Sequence, residues 1–303
     1  MRVYKMDLFK SLENVKKKKR ALIIYCLLNR IPIIIFGNSS IDIDEFIIEL
    51  SGLINFRKEL VYYTDFISNI EYENLILNEN NDYQSMRIQV RCPSNVAIKA
   101  ISQLSSLNSM IIGIEIPKEK NDLVLVKELI KVKTRKFLEI VIDSEDIVIN
   151  ITGINEKLLN LELELKIFQK ISENTEKSIN KMKRVLSDQI YKSQLDNDLK
   201  YSLLDFEVEK TEIKKNIFQE EIQDFYSGAK RAFFILSKLN FVNNMEVDSI
   251  IGSKTLLEAI DYEEGSIKGI LTFIKNEWGE DFSGLIENNK LTFIGDKIQS
   301  FWG

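Results

Sequence analysis

The chain has 303 residues, 45% of them hydrophobic, and a formal charge of −5, so it carries enough apolar side chain for one large α/β domain or two modest ones. It contains no histidine, which excludes a Ser/His/Asp triad, a Cys/His dyad and a His-ligated zinc site. Its two cysteines, Cys26 and Cys92, have 65 residues between them. That excludes a disulfide framework and a four-thiolate metal site, and predicts two small buried hydrophobes in a reducing compartment, the alternative being a single bridge or redox pair.

The run Lys16, Lys17, Lys18, Lys19 and Arg20 precedes an apolar stretch at 21–28, in the order of a signal peptide. The basic region is too long for one, no small-residue cleavage site follows, and Asn29 and Arg30 end the apolar stretch short of the ~18 residues a membrane span needs. The expectation is a cytoplasmic protein with no membrane association. Its basic run is either a solvated helix face or a phosphate-contacting patch for nucleic acid or an anionic surface.

Apolar runs at 33–36, 60–64, 88–91 and 110–116 read as strands. Between them come helix signals: Phe46, Leu50, Leu53 and Ile54 at helical spacing, Ser68 with Glu71 as a capping box, and Pro93-Ser94 opening a helix over 96–104. The alternation predicts a mainly parallel sheet with crossover helices. Runs at 137–142 and 147–151, around the turn Asp143-Ser144-Glu145-Asp146, read as an antiparallel hairpin on the sheet edge. This α/β domain is expected over 1–155.

From 156 to 226 there is no Pro or Gly, and Leu161, Leu165, Phe168, Ile179, Met182 and Leu186 form a heptad-compatible stripe with Ser172 and Thr175 at two seam positions. The expectation is a long, coiled-coil-like helical connector, folded as an antiparallel hairpin or pairing in a homodimer. The alternation Leu161, Leu163, Leu165, Ile167 also suits a strand. Charges over 156–231 nearly cancel, 14 basic against 15 acidic, which suits solvated helices better than a nucleic-acid arm.

Three helices are expected over 229–239, 247–260 and 265–278, followed by a strand, an Asn288-Asn289 turn, a second strand and a closing helix. This order, with the tail LIENNKLTFIGDKI, resembles a winged-helix module over 227–303. Phe233, Phe234, Phe273, Trp278, Phe282, Phe293 and Trp302 are its expected core. As a DNA reader the module would depend on Lys268, Lys275 and Asn276 of its third helix and on Lys290 in the wing. From 233 to 303 there are 6 basic and 11 acidic residues, which favours a protein partner over duplex binding.

The helix, the strand Ile33-Ile34-Ile35-Phe36, Gly37, a short loop and a further helix resemble a P-loop NTPase. The resemblance implies a loop that cradles phosphates, a lysine on the β/γ-phosphates and a hydroxyl on magnesium. Over Gly37 to Asp44 only the first glycine matches; Asp42, Ile43 and Asp44 occupy the second-glycine, lysine and hydroxyl positions. Two carboxylates there repel a polyphosphate, so the domain reads either as a degenerate P-loop-like domain or as an unrelated α/β sheet in which Asp42 or Asp44 caps a helix, with Gly37, Ser39 and Ser40 left as an anion locus and no cofactor expected. The strand ending in Glu115 fits a Walker B strand only superficially, and Gly252-Ser253-Lys254-Thr255 reads as the start of a helix.

No residue takes a catalytic role on this reading. The functional expectation is a non-catalytic interaction or scaffold protein. The alternative is a DNA-binding transcriptional regulator that dimerises through the helical connector and uses Lys16 to Arg20 with Lys268, Lys275 and Lys290.

Overall fold

The structure is a computed structural model that describes residues 7–62, 70–72, 74–75, 86–143, 146–192, 199, 204–262 and 265–287. The chain divides into two compact units, Met1–Ile222 and Gln223–Gly303.

The first unit is built on a six-stranded sheet. In chain order its elements are α1 (Leu8–Ser11), α2 (Lys17–Leu28), β1 (Ile33–Gly37), α3 (Ser40–Ser51), β2 (Lys58–Val61), β3 (Ile88–Cys92), α4 (Ala97–Gln103), β4 (Met110–Glu115), α5 (Lys120–Lys133), β5 (Phe137–Ile142), β6 (Ile147–Thr152), α6 (Glu162–Lys192) and the part of α7 (Glu207–Asn243) up to Ile222. The strands lie in the order β2-β3-β4-β1-β5-β6. All neighbours are parallel except β5 and β6, which form the expected antiparallel hairpin. Of its turn, Ser144 and Glu145 lie outside the described residues, as does Ser68 of the expected capping box.

Strand β1 is buried along its whole length, which is why it reads as an unbroken Ile-Ile-Ile-Phe run rather than an alternating one. Its even-numbered residues, Ile34 and Phe36, join Ile112 and Ile114 of β4 and Val126 and Ile130 of α5 in one core. Its other face takes α3. There Gly113 lies so close to Ile43 that a Cβ would stand 2.5 Å from the Ile43 Cγ2, and a Cβ on Gly37 would stand 2.9 Å from the Ile43 Cγ1. A glycine inside an apolar strand marks such a close approach. Gly113→Ala is expected to lower stability by about 1–3 kcal/mol through overpacking. In urea denaturation, an additional Ile43→Ala should recover part of that loss if the contact is the cause.

Helix α2 buries Ala21, Leu22, Ile23, Ile24, Cys26, Leu27 and Leu28, more than one face can account for, because it packs on β1, β5 and β6 and also against α6. The buried positions of α6 are Leu161, just before it, and Glu164, Ile167, Ile171 and Thr175. This differs from the heptad stripe of the sequence: Leu165 and Phe168 are half-buried and Ser172 is exposed. The stripe is displaced because the helix is fitted to α2 of its own chain.

Helix α7 runs without a break from Glu207 to Asn243, where the sequence suggested a connector ending at 226 and a new helix at 229. The Ser227-Gly228 punctuation does not stop it. Gly228 is buried, and a Cβ there would stand 3.2 Å from Tyr262, so the glycine makes room for a ring.

The second unit continues from α7 through β7 (Ile251–Gly252), α8 (Ser253–Ala259), α9 (Ile267–Trp278) and β8 (Ile286–Glu287). Strands β7 and β8 pair in parallel. The helix expected over 247–260 is corrected: residues 247–250 are not helical, β7 follows them, and the helix starts at Ser253. Phe233, Phe273, Trp278 and Phe282 form the core, with Phe233 stacked on Trp278 at 4.8 Å between ring centroids and Phe273 edge-on to Trp278 at 5.7 Å. Phe234 is a correction. Consecutive helix positions point about 100° apart, so with Phe233 inside, Phe234 is left 44% exposed. Phe293, Trp302, the Asn288-Asn289 turn and the closing helix lie outside the described residues.

Candidate functional site

In an open parallel sheet a ligand crevice forms where crossovers leave neighbouring strands toward opposite faces. Here that point is the carboxyl end of β1 and β4. The chain leaves β1 through α3 toward the far edge and later crosses from β4 through α5 to β5 on the opposite face. Gly37, Ser39 and Ser40 lie at this point, so topology brings the sequence's anion locus to the expected edge.

The local geometry uses those residues structurally. Only Asn38 and Ser39 separate β1 from α3. The Ser39 hydroxyl accepts from the Asp42 amide at 3.3 Å, and the Ser39 carbonyl accepts from the Ile43 amide at 3.1 Å. Ser39 is therefore the N-cap of α3. The carbonyl of Gly37 accepts from the Ile116 amide at 2.8 Å. Asp44, at the hydroxyl position of a P-loop, accepts from the Ser94 amide at 2.9 Å and ties α3 to the turn before α4. Burial first, and then the Asp44 charge, pushes the Cys92 thiol up to about 12, so it is held as an unreactive thiol. Burial raises the Cys26 thiol as well, and both cysteines are free and buried as expected.

Among the described residues no group of three or more Cys, Asp or Glu side chains is placed to hold a metal ion. No helix among them is long and apolar enough to cross a membrane.

Several of the basic residues are engaged within their own unit. Lys16 caps α2 without a side-chain hydrogen bond, and Lys17 and Lys18 are exposed. Lys19 is paired with Glu156 at 2.8 Å, and Arg20 lies over the Phe168 ring at 5.5 Å. On α9, Lys268 and Asn276 are exposed, while Lys275 pairs with Asp281 at 2.6 Å. That lysine, with the Ser283 hydroxyl and amide, holds the Asp281 carboxyl well below the usual range. Lys290 lies outside the described residues. Lys254 faces Glu258 one turn along α8 at 3.5 Å, so the Gly252 to Thr255 segment is a helix start.

The surface that sequence reasoning passed over is apolar. Phe234, Lys238 and Phe241 share one line of α7, and Met245 follows on it in the next turn. Phe241 and Met245 are 62% and 60% exposed, and Val242, Val247 and Ile250, close to them in the chain, are exposed too. The adjacent pair Phe233-Phe234 was the available signal, since both cannot enter one core.

No family model, curated protein or solved structure matches this chain.

Proposed function

We propose that the protein is a non-catalytic interaction protein whose C-terminal unit contacts another protein. The observation that carries this reading is the exposed line Phe234, Phe241 and Met245, with the exposed Val247 and Ile250 following it in the chain. Scattered surface apolar residues are ordinary, but several gathered over one helix end and the segment after it mark a contact surface. The acidic balance of 233–303, 6 basic against 11 acidic, supports a protein rather than a polyanion as the partner. At the carboxyl end of β1, the absence of a lysine between Gly37 and Asp44 and the short turn before α3 support a sheet that serves as framework.

The succession α7, β7, α8, α9, β8 also follows the helix-strand-helix-helix-strand order of a winged helix, and this favours a second reading as a DNA-binding regulator. Pairing of Lys275 with Asp281 weakens it, because one of the few cations on α9 is already partly neutralised.

The test is capture of partners from the source lysate by tagged full-length chain, with and without nuclease. Proteins retained after nuclease treatment, and lost by a Phe241→Ser/Met245→Ser chain that melts as the unaltered one does, are the expected outcome. Retained nucleic acid, with proteins lost on nuclease treatment, supports the DNA reading instead.

A further inference from the structure

Strand β6 ends the sheet, with no strand paired to its outer side among the described residues. Leu138 of β5 donates its amide to the Pro32 carbonyl beside β1, and the Asp143 amide reaches across the hairpin to the Asp146 carbonyl. Along a strand, the N–H and C=O of successive residues point to alternate sides. Leu138, Ile140 and Ile142 therefore face β1, while Phe137, Glu139 and Val141 bond with Thr152, Asn150 and Val148, their partners in register. Ile147, Ile149 and Ile151 must then turn their backbone groups away from β5. Among the described residues none of these three outward amides or carbonyls has a backbone partner.

Sheet edges are ordinarily blunted by charge, proline, a bulge or shortness. The opposite edge strand, β2, is four residues long and carries Lys58 and Glu59. Strand β6 is six residues, Ile-Val-Ile-Asn-Ile-Thr, regular in register, with no charge and no proline. Its side chains do not close it off either: Ile149 is buried on the α2 side, and Val148, on the other, is 52% exposed.

We propose that β6 is a homodimer interface, in which β6 of a second copy adds antiparallel about a two-fold axis at Ile149 and joins the two sheets into one. With that register Ile149 bonds the partner's Ile149, and Ile147 bonds the partner's Ile151. All three outward residues of each copy are then used, giving about six hydrogen bonds across the axis.

Charge complementarity selects a second copy over an arbitrary strand. The hairpin end of β6 is acidic, with Asp146 exposed, and the other end lies beside basic residues, since Gly153 packs against the Arg135 carbonyl and Arg135 and Lys136 are exposed. Antiparallel pairing sets the acidic end of each copy near the basic end of the other, within about one Debye length. This surface is separate from the one on the C-terminal unit and does not depend on the function proposed for it.

Sedimentation equilibrium of the full-length chain, run up to about 100 μM, tests the proposal in the range expected for a small interface. A reversible dimer is expected. Ile151→Pro removes an outward N–H and obstructs the edge at no cost to the bonds with β5, and should weaken dimerisation by about tenfold or more. Asp146→Lys, on the exposed hairpin, should weaken it without touching the core, and adding Lys136→Glu to that chain should restore it. A chain that stays monomeric throughout, or a dimer indifferent to both Ile151→Pro and Asp146→Lys, overturns the proposal.

Discussion

Arg57→Met should lower the stability of the first unit by about 2–4 kcal/mol, the cost of leaving the Leu28 carbonyl and the Gln89 Oε1 without their donor and of weakening the pairing of the Leu27 carbonyl. Arg57 is 3% exposed. Its Nη1 donates to the Leu27 carbonyl at 2.6 Å and to the Gln89 Oε1 at 3.1 Å, and its Nη2 donates to the Leu28 carbonyl at 2.9 Å. The two carbonyls belong to the last residues of α2, where a helix has no intrahelical donors to offer. Gln89 passes the order on, giving its Nε2 to the Ser109 carbonyl at 2.7 Å, while the Ser109 hydroxyl donates to the Ile88 carbonyl at 2.8 Å. One planar fork thus joins the end of α2 to β3 and to the residue before β4. Lysine cannot serve three acceptors in fixed directions, so Arg57→Lys should recover only part of the loss. Urea denaturation of the three chains measures it; a loss below about 1 kcal/mol for Arg57→Met would show that water replaces the guanidinium.

Glu164→Met should do the opposite, stabilising the first unit by about 3 kcal/mol at pH 8 and by little at pH 4.5. Glu164 is 4% exposed, its Oε2 has no hydrogen-bond partner among the described residues, and burial pushes its carboxyl up to about 7. Burial penalises the ionised form, so the proton is held more tightly in the folded chain than in the unfolded one. The penalty begins above the ordinary value of 4.5, grows as pH rises, and is complete above about 7. Removing the carboxyl therefore gains most where the wild-type group is ionised. On the α2 side, burial first, and then Cys26 and Glu164 beside it, raise the Tyr25 hydroxyl, so Tyr25 stays a neutral phenol at neutral pH and adds no second negative charge next to Glu164. Thermal melts of both chains across this range should converge at acid pH and separate progressively above it. Parallel curves would mean that Glu164 is hydrated at all pH values.

Such effects depend on which side chains the fold encloses, and that is where sequence reading stopped. The strands with unbroken apolar runs, β1 and β4, and the β5–β6 hairpin were legible because a parallel core strand is buried on both faces and a hairpin has a polar turn. The strand order was not, since helical spacing says where a crossover occurs but not how far it carries the chain. Glu164 was one of 15 acidic residues between 156 and 231, and nothing local distinguished it. It is buried because α6 packs on α2, a contact absent from the heptad spacing that pointed to a self-pairing helix. Arg57 gave no signal, being a single cation beside Lys58 after the apolar Leu53, Ile54 and Phe56.

The candidate site divides the same way. Gly37, Ser39 and Ser40 were correctly placed after a central strand, but what they do there depends on Ile43 pressing against Gly37 and on Ser39 spending its hydroxyl on the cap. Spacing alone could not distinguish a glycine that admits a phosphate from one that admits an isoleucine. On the C-terminal unit, Phe234 was assigned to the core by composition, whereas the geometry of consecutive helix positions puts it with Phe241 and Met245 on the surface.

The most direct measurement of the interaction account is quantitative capture by the full-length chain after nuclease treatment, comparing the unaltered protein with Phe241→Ser/Met245→Ser at matched thermal stability. Specific proteins retained by the first and lost by the second are the predicted result. Equal retention by both chains, or retention that disappears for both on nuclease treatment, would contradict the claim that this apolar surface is where the protein acts.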